Sequence, residues 1–171
     1  PDGRYTLVFN GEIYNQRALR KALEREGVRF RTSGDTEVLL QALIRWGEGG
    51  LRKLEGMYAF VFVDRKNAIA LAGRDPLGIK PLYMTRQGRF TGFASEAGPL
   101  TRFVGAEPDP AALAELLTFR FAAGRLSNYR GIERVPGGHG VQVWLADGAV
   151  SERRFCDLLE ELHDPDPTMT A

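Results

Sequence analysis

A short polar stretch near the start of the chain, Asn10-Gly11-Glu12, contains residue types that can stabilise a developing negative charge on a carbonyl oxygen. The donors suited to that task are a side-chain amide and a backbone N–H that point at a common spot. Asn-Gly is also a favoured pair for a two-residue hairpin turn, but the residues that follow it have helical spacing. We therefore predict a strand-to-helix loop in which Asn10 and Gly11 face one point.

A second candidate is Asp35, which follows Ser33-Gly34 and precedes a stripe of apolar residues at helical spacing from Val38 to Trp46. A carboxylate at a helix N-terminus stays ionised because the helix dipole and the free N–H groups favour the charge. Together with Glu12, Asp35 could hold the ammonium group of an α-amino acid. The alternative for Asp35 is a plain N-capping role.

The elements that must position these residues can be predicted from the spacing of apolar residues. A strand over 4–9 is followed by helices after Asn15 and Asp35, and Gly27 and Gly47 end these helices. Predicted strands come next, then a helix opened by Asp109-Pro110, then a last hairpin; the strands cover 57–63, 68–72, 81–85 and 89–94, and the hairpin covers 140–155. Helices followed by a run of antiparallel strands indicate the α+β class.

Composition excludes several classes of function. A chain of 171 residues with 43% hydrophobic and 26% charged residues is typical of one globular domain, and a net charge of +1 gives no reason to expect nucleic acid or a membrane as partner. No apolar run or leader sequence is apparent, so we expect a cytoplasmic protein. One cysteine, Cys156, and two separated histidines, His139 and His163, give no metal-ligand pattern.

Several ordered strings resemble the class II glutamine amidotransferase domain of asparagine synthetases, and the resemblance covers nearly the entire chain. The strings are Val8-Phe-Asn-Gly-Glu-Ile-Tyr-Asn15, Ser33-Gly-Asp-Thr-Glu-Val38, Leu54-Glu-Gly-Met-Tyr-Ala-Phe60, Gly73-Arg-Asp-Pro-Leu-Gly-Ile-Lys-Pro-Leu-Tyr83, Phe93-Ala-Ser-Glu96 and Gly131-Ile-Glu-Arg-Val-Pro-Gly-Gly-His139. The sequence departs from the family at Gly98-Pro99, where Lys-Ala is usual.

The resemblance implies an N-terminal-nucleophile hydrolase fold, an αββα sandwich that we expect to be incomplete at its N-terminus. It implies a partial amidotransferase domain over residues 1–155 and a linker over 156–171. It also implies that Asn10 and Gly11 stabilise the oxyanion, while Glu12 and Asp35 grip the ammonium group of L-glutamine.

In this family an N-terminal cysteine attacks the glutamine amide, with its own α-amino group as base. The chain begins with Pro1, and Cys156 is internal, so Cys156 is interpreted as a buried small hydrophobe. We therefore expect the isolated chain to be inactive. No Ser-Gly-Gly-x-Asp-Ser-type loop is present, so the resemblance assigns ATP and Mg²⁺ to a C-terminal synthetase domain outside this sequence, and no cofactor to this segment.

Several alternatives remain open at this point. The parent protein could amidate an acceptor other than aspartate, such as a peptide or a β-lactam precursor, or the chain could bind glutamine or a protein without turnover; a homodimer is also compatible with the resemblance. Arg74 and Asp75 are interpreted as a structural ion pair at a strand end. The uncharged run from Tyr58 to Val63 is expected to be the segment most prone to exposure and self-association.

Overall fold

The computed structural model describes residues 3–120 and 124–157. A short 3₁₀ helix covers Gly47–Lys53. The other elements, in chain order, are β1 (Tyr5–Ile13), α1 (Gln16–Arg25), α2 (Asp35–Trp46), β2 (Gly56–Asp64), β3 (Ile69–Arg74), β4 (Tyr83–Gln87), β5 (Phe90–Ala94), α3 (Ala97–Val104), α4 (Pro110–Phe119), β6 (Ile132–Arg134), β7 (His139–Trp144) and β8 (Val150–Arg154).

The first layers of the fold are a helix pair and a five-stranded antiparallel sheet in the order β1-β2-β3-β7-β8. Helix α1 buries Leu19 and Leu23, which lie one turn apart on its apolar face. Alternate residues of β2, such as Phe60 and Phe62, join these leucines in one apolar cluster because successive strand side chains point to opposite faces. The helices therefore cover one face of the sheet.

A second antiparallel sheet, in the order β5-β4-β6, packs on the other face of the first. Ala59 and Val141 of the first sheet contact Leu82 and Met84 in the cluster between the two sheets. Helix α3 lies against the second sheet and buries Leu100. The order of layers is helix, sheet, sheet, helix, which confirms the predicted αββα sandwich.

Most predicted elements are confirmed, but β1 is longer than predicted. It does not end at Asn10-Gly11; it continues to Ile13, and every residue from Tyr5 onward has a partner on β2. The sequence pattern also missed α3, the 3₁₀ helix and β6, which are short. In α3, Pro99 occupies the first turn, where its missing N–H costs no helical hydrogen bond.

The expected exposure of the Tyr58–Val63 run is wrong, whereas its self-association stays a prediction. The run lies inside β2, which pairs with β1 on one side and β3 on the other, and Tyr58, Phe60 and Phe62 are buried. Within residues 3–120 and 124–157, the sheet edge with no paired strand at this end belongs to β1. An exposed edge of that kind is where another strand could add.

Candidate functional site

Three of the four predicted site residues lie on β1 near its end. Asn10 and Glu12 are two residues apart in the strand, so their side chains leave the same face, and both are exposed. The predicted loop is therefore corrected to an extended strand, with Asn10 opposite Ala59 and Glu12 opposite Met57. The strand fixes the direction of these side chains more firmly than a loop would.

Gly11 lies where β1 and β2 approach each other closely. Its φ is +148°, and a Cβ atom built on it would lie 2.1 Å from the Met57 carbonyl oxygen and 2.7 Å from the Tyr58 Cα. Likewise, a Cβ atom built on Gly56, at the start of β2, would lie 2.1 Å from the Glu12 carbonyl oxygen. A residue with a side chain could occupy neither position without a shift of the opposing backbone.

The hydrogen bonds around Gly11 show the direction of its backbone N–H. The Tyr14 N–H donates to the Glu55 carbonyl, on the β2 side, whereas the Ile13 N–H donates away from β2 to Asp35 Oδ2, at 3.1 Å. In an antiparallel ladder these directions alternate along the strand. Gly11 lies two residues before Ile13, so its N–H points in the same direction, to the open edge of the sheet.

Asp35 is brought to the same edge by α2. It is the first residue of that helix, as predicted, but its N-cap residue is Gly34 and no side chain caps the helix. The Asp35 carboxylate bonds the Ile13 N–H of the neighbouring strand instead, which contradicts a plain capping role. The two carboxylates of Glu12 and Asp35 are thereby placed on adjacent rungs of the edge.

Glu37 fixes the segment that leads into α2, a role that the sequence pattern did not predict. Its carboxylate accepts hydrogen bonds from the backbone N–H groups of Arg31 and Thr32 and from the Thr32 hydroxyl. Desolvation acts to raise the pKa of Glu37, but the hydrogen bonds from Thr32 and Arg31 outweigh it and lower this pKa. The signal was available, since a Glu at the third helical position often reaches back to preceding N–H groups.

The electrostatics of the site favour a cation. None of the ion pairs found among the described residues includes Glu12 or Asp35. Two carboxylates that form no ion pair among the described residues thus share a strand edge with two donors, the Asn10 amide and the Gly11 N–H. An α-amino acid with a terminal carboxamide has the complementary groups, an ammonium at one end and a carbonyl oxygen at the other.

The cavities near the sheet do not provide an alternative site for these residues. Beside Asn10 is a cavity of about 60 Å³, lined also by Leu82, Phe93 and Ser95, which is too small for an amino acid. A cavity of about 690 Å³ is lined by Leu51, Gly56, Leu77 and Cys156 and by none of the four predicted residues. Neither of these two cavities could hold an amino acid in contact with all four predicted residues.

Cys156, interpreted from the sequence as a buried small hydrophobe, is half-buried and packs against the apolar cluster under the helices. That cluster covers one face of the sheet, whereas Asn10 lines a cavity with Ala59 and Leu82 on the other face. The sheet separates the Cys156 thiol from the Asn10 amide. Cys156 is therefore not placed to attack a carbonyl held by Asn10.

Arg74 and Asp75 are structural, but they do not form the predicted ion pair. The Arg74 guanidinium donates to the carbonyl oxygens of Gly78, Lys80 and Val135. Burial lowers the pKa of Arg74. The Asp75 carboxylate, fully buried, accepts from three backbone N–H groups in the part of the chain that the structure describes. Backbone groups of the loop after β3 and of neighbouring segments therefore satisfy both charges.

The remaining sequence-based expectations concern metals and membranes. Over residues 3–120 and 124–157 the structure contains no group of three potential metal ligands and no helix long and apolar enough to span a bilayer. His139 Nδ1 lies 2.8 Å from the Gly137 carbonyl, and its Nε2 lies 4.0 Å from Glu152. His163 and the predicted linker beyond residue 157 are outside the described residues.

Comparison with known families decides the class of this domain. A model of the glutamine amidotransferase domain family matches residues 1–156. The chain belongs to this family. The match includes β1, α2 and the open edge between them, where the four predicted site residues lie.

Curated relatives of this amidotransferase domain include glutamine-hydrolyzing asparagine synthetases. Asparagine synthetase 1 of Bacillus subtilis is 41% identical over 121 residues, covering 70% of this chain and 19% of that protein. Asparagine synthetase 3 of the same organism is 44% identical over 92 residues, or 54% of this chain and 15% of that protein. A putative asparagine synthetase of Mycobacterium tuberculosis is 38% identical over 144 residues, which cover 81% of this chain and 22% of that protein. The chain therefore spans about a fifth of their length.

Solved structures support the fold of the domain. A glutamine phosphoribosylpyrophosphate amidotransferase from B. subtilis matches with a TM-score of 0.58 and 24% identity, over 91% of this chain and 30% of that one. A structure described as the allosteric regulatory enzyme of purine biosynthesis matches with a TM-score of 0.62, the same identity and the same coverage. These similarities confirm the N-terminal-nucleophile hydrolase architecture predicted from the sequence.

Proposed function

We propose that this amidotransferase domain binds L-glutamine and supplies ammonia within a glutamine-hydrolyzing asparagine synthetase. The observation that carries the proposal is the edge of β1, where the Asp35 carboxylate bonds the Ile13 N–H next to Glu12. The similarity to asparagine synthetases over as much as 81% of the chain supports this parent protein. ATP and Mg²⁺ would act in its synthetase domain and have no assigned residue here.

The proposed pose places the glutamine parallel to β1. Its ammonium group lies between the Glu12 and Asp35 carboxylates, and its side-chain carbonyl lies between the Asn10 amide and the Gly11 N–H. Residues 10 and 13 are separated by three rungs, roughly 10 Å of strand. An extended glutamine can bridge most of that distance, and the Asn10 and Asp35 side chains can reach inward across the rest.

The chemistry that this pose supports is hydrolysis of the carboxamide. When a nucleophile adds to the amide carbon, the carbonyl oxygen becomes an oxyanion, and the two donors at Asn10 and Gly11 stabilise that charge. The amide nitrogen then leaves as ammonia after it accepts a proton. This pose assigns no residue of the described chain as the nucleophile, and Cys156 lies on the wrong side of the sheet for that role.

Binding of L-glutamine to the full chain tests the proposal. We expect saturable binding in an NMR titration of ¹⁵N-labelled protein, with the largest shifts at residues 10–13 and 35. Glu12→Gln and Asp35→Asn should each weaken binding about tenfold or more, because a charge-assisted hydrogen bond contributes roughly 1.5–3 kcal/mol.

Glu24→Gln is the matched control, because Glu24 is an exposed carboxylate on α1 outside the site. It should leave the glutamine affinity unchanged. An absence of saturable binding by the unmodified chain would overturn the proposed function, and equal weakening by Glu24→Gln would show that only the net charge matters.

A further inference from the structure

The β2–β3 ladder ends in a hydrogen bond to a side chain. Strand β3 ends at Arg74, so Tyr58 of β2 faces Asp75, one residue beyond the last ladder pair. The Asp75 N–H donates to the Tyr58 carbonyl at 2.8 Å, as in a normal ladder. The Tyr58 N–H, however, donates to Asp75 Oδ2 at 3.3 Å. A carboxylate thus replaces the strand carbonyl.

The Asp75 carbonyl does not take that place because it is used elsewhere. It accepts from the N–H groups of Gly78 and Gly138, which bend the chain away from the sheet. The Asp75 carboxylate also accepts from the Ile79 N–H at 2.8 Å and the Lys80 N–H at 2.9 Å. One buried side chain therefore joins the loop after β3 to the backbone of Tyr58.

Gly11 lies on β1, on the opposite side of β2 from this contact, and is the partner of Tyr58 in the β1–β2 register. Both polar backbone groups of Tyr58 are bonded toward β3, so neither is directed at Gly11. The two backbones are also in close contact, since a Cβ on Gly11 would lie 2.7 Å from the Tyr58 Cα. A rotation of the Tyr58 peptide would change both the position and the bonding of the Gly11 N–H.

We propose that Asp75 is a positioning residue for the oxyanion donor at Gly11. By accepting the Tyr58 N–H, it keeps β2 turned so that the Gly11 N–H points to the open edge and stays free for a ligand carbonyl. The inference rests on the proposed function, because it assigns that N–H to the glutamine carboxamide. It gives the buried carboxylate a role in carboxamide recognition that does not involve contact with the ligand.

The test compares two probes with the full chain. L-glutamine uses the carboxamide donors, whereas L-norleucine has the same α-amino acid head but no carboxamide. With Asp75→Asn, we expect glutamine binding to weaken about tenfold, which corresponds to about 1.4 kcal/mol. Norleucine binding should change less than about twofold. The Gly11 amide resonance should also shift in the unliganded variant.

Asp64→Asn is the matched control. Asp64 is a buried carboxylate at the other end of β2 that also accepts backbone N–H groups, from Lys66 and Asn67. Its loss should lower stability without changing the ratio of glutamine to norleucine affinity. If Asp75→Asn does not fold, the α-hydroxy analogue of tyrosine at position 58 replaces only the N–H with an ester oxygen, and we expect the same selective loss.

The outcomes separate the two proposals. If the unmodified chain binds glutamine, but Asp75→Asn or the ester at position 58 leaves the glutamine to norleucine ratio and the Gly11 resonance unchanged, the positioning role is wrong and the proposed function stands. An equal loss for both probes would likewise reject the positioning role and indicate general destabilisation. If the unmodified chain binds neither probe, the proposed function itself fails.

Discussion

The two ends of the β1–β2 ladder use carboxylates in opposite ways. At one end Asp64 forms a bidentate pair with Arg4, just before β1. Asp64 also accepts hydrogen bonds from N–H groups of the turn that follows β2, so it joins the start of β1 to the end of β2. At the other end Asp35 and Asp75 each accept an N–H from a different strand, at Ile13 and Tyr58.

The difference shows how a sheet can be stable and still present free donors. Glycines at 11 and 56 bring the strands into contact at the second end, where the conformations require positive φ. The carboxylates there fix strand backbones from outside the ladder. The end at Asp64 contributes to stability alone, whereas the end at Asp35 and Asp75 must also leave the Gly11 N–H free for a ligand.

Substitution of Gly11 by alanine should break the second end. The positive φ and the overlap with the Met57 carbonyl together predict a loss of about 3 kcal/mol or more in the free energy of unfolding. Urea denaturation measures it, and glutamine binding should be lost as well. Gly98→Ala is the control, because Gly98 lies in α3 with nothing within 4 Å of a built Cβ. Equal stabilities for the two variants would contradict the steric argument.

Acid should act on the first end through Asp64. Its hydrogen bonds with Arg4 outweigh burial and lower the pKa of Asp64 to about 2, from an ordinary 3.8. The ionised carboxylate therefore stabilises the fold above about pH 4, and this contribution is lost as the pH falls toward 2. Because Arg4 is partly exposed, we expect about 1–2 kcal/mol.

Asp64→Asn should therefore be less stable than the unmodified chain at neutral pH, and the gap should narrow in acid. Urea midpoints at several pH values between neutrality and acid provide the measurement. A constant gap across that range would show that the Arg4–Asp64 pair does not contribute through its charge.

The smallest effect is expected for the side chain of Tyr58. Its hydroxyl is buried and has no hydrogen-bond partner among the described residues. Burial raises the pKa of this phenol, with the Asp75 charge as a second cause. Tyr58→Phe removes an unsatisfied polar atom and should raise stability by at most about 1 kcal/mol. Thermal unfolding measures the change, and a clear loss would reveal a partner for the hydroxyl.

The spacing of apolar residues predicted most helices and strands, because amphipathic helices and apolar strands depend on local spacing. The order of layers was implied by the resemblance to the amidotransferase family. It predicted Asp35 at a helix start, but not that its carboxylate would bond Ile13, a contact across 22 residues. It also treated Asn-Gly as the end of a strand. The close contacts of residue 11 come from Met57 and Tyr58 on β2, which are too distant in sequence to enter a turn rule.

Asp75 shows the same limit from another direction. Asp75 follows Arg74 directly in the sequence, and two adjacent opposite charges suggested an ion pair. In the structure the two side chains bond different backbone groups. Only the pairing of the strands shows that Asp75 lies next to Tyr58 of β2, and that Tyr58 in turn lies opposite Gly11 of β1. Residues that act through a neighbouring strand leave no local pattern.

The hydrogen bond between Ile13 and Asp35 also bears on how copies of this chain behave when concentrated. A bare strand edge invites a second strand to add, and repeated addition leads to fibrils. At the last rung of β1 the N–H is already taken, and the carboxylate that takes it adds a negative charge to the rim. We therefore expect the residue at the start of α2 to oppose the addition of another strand at this rung.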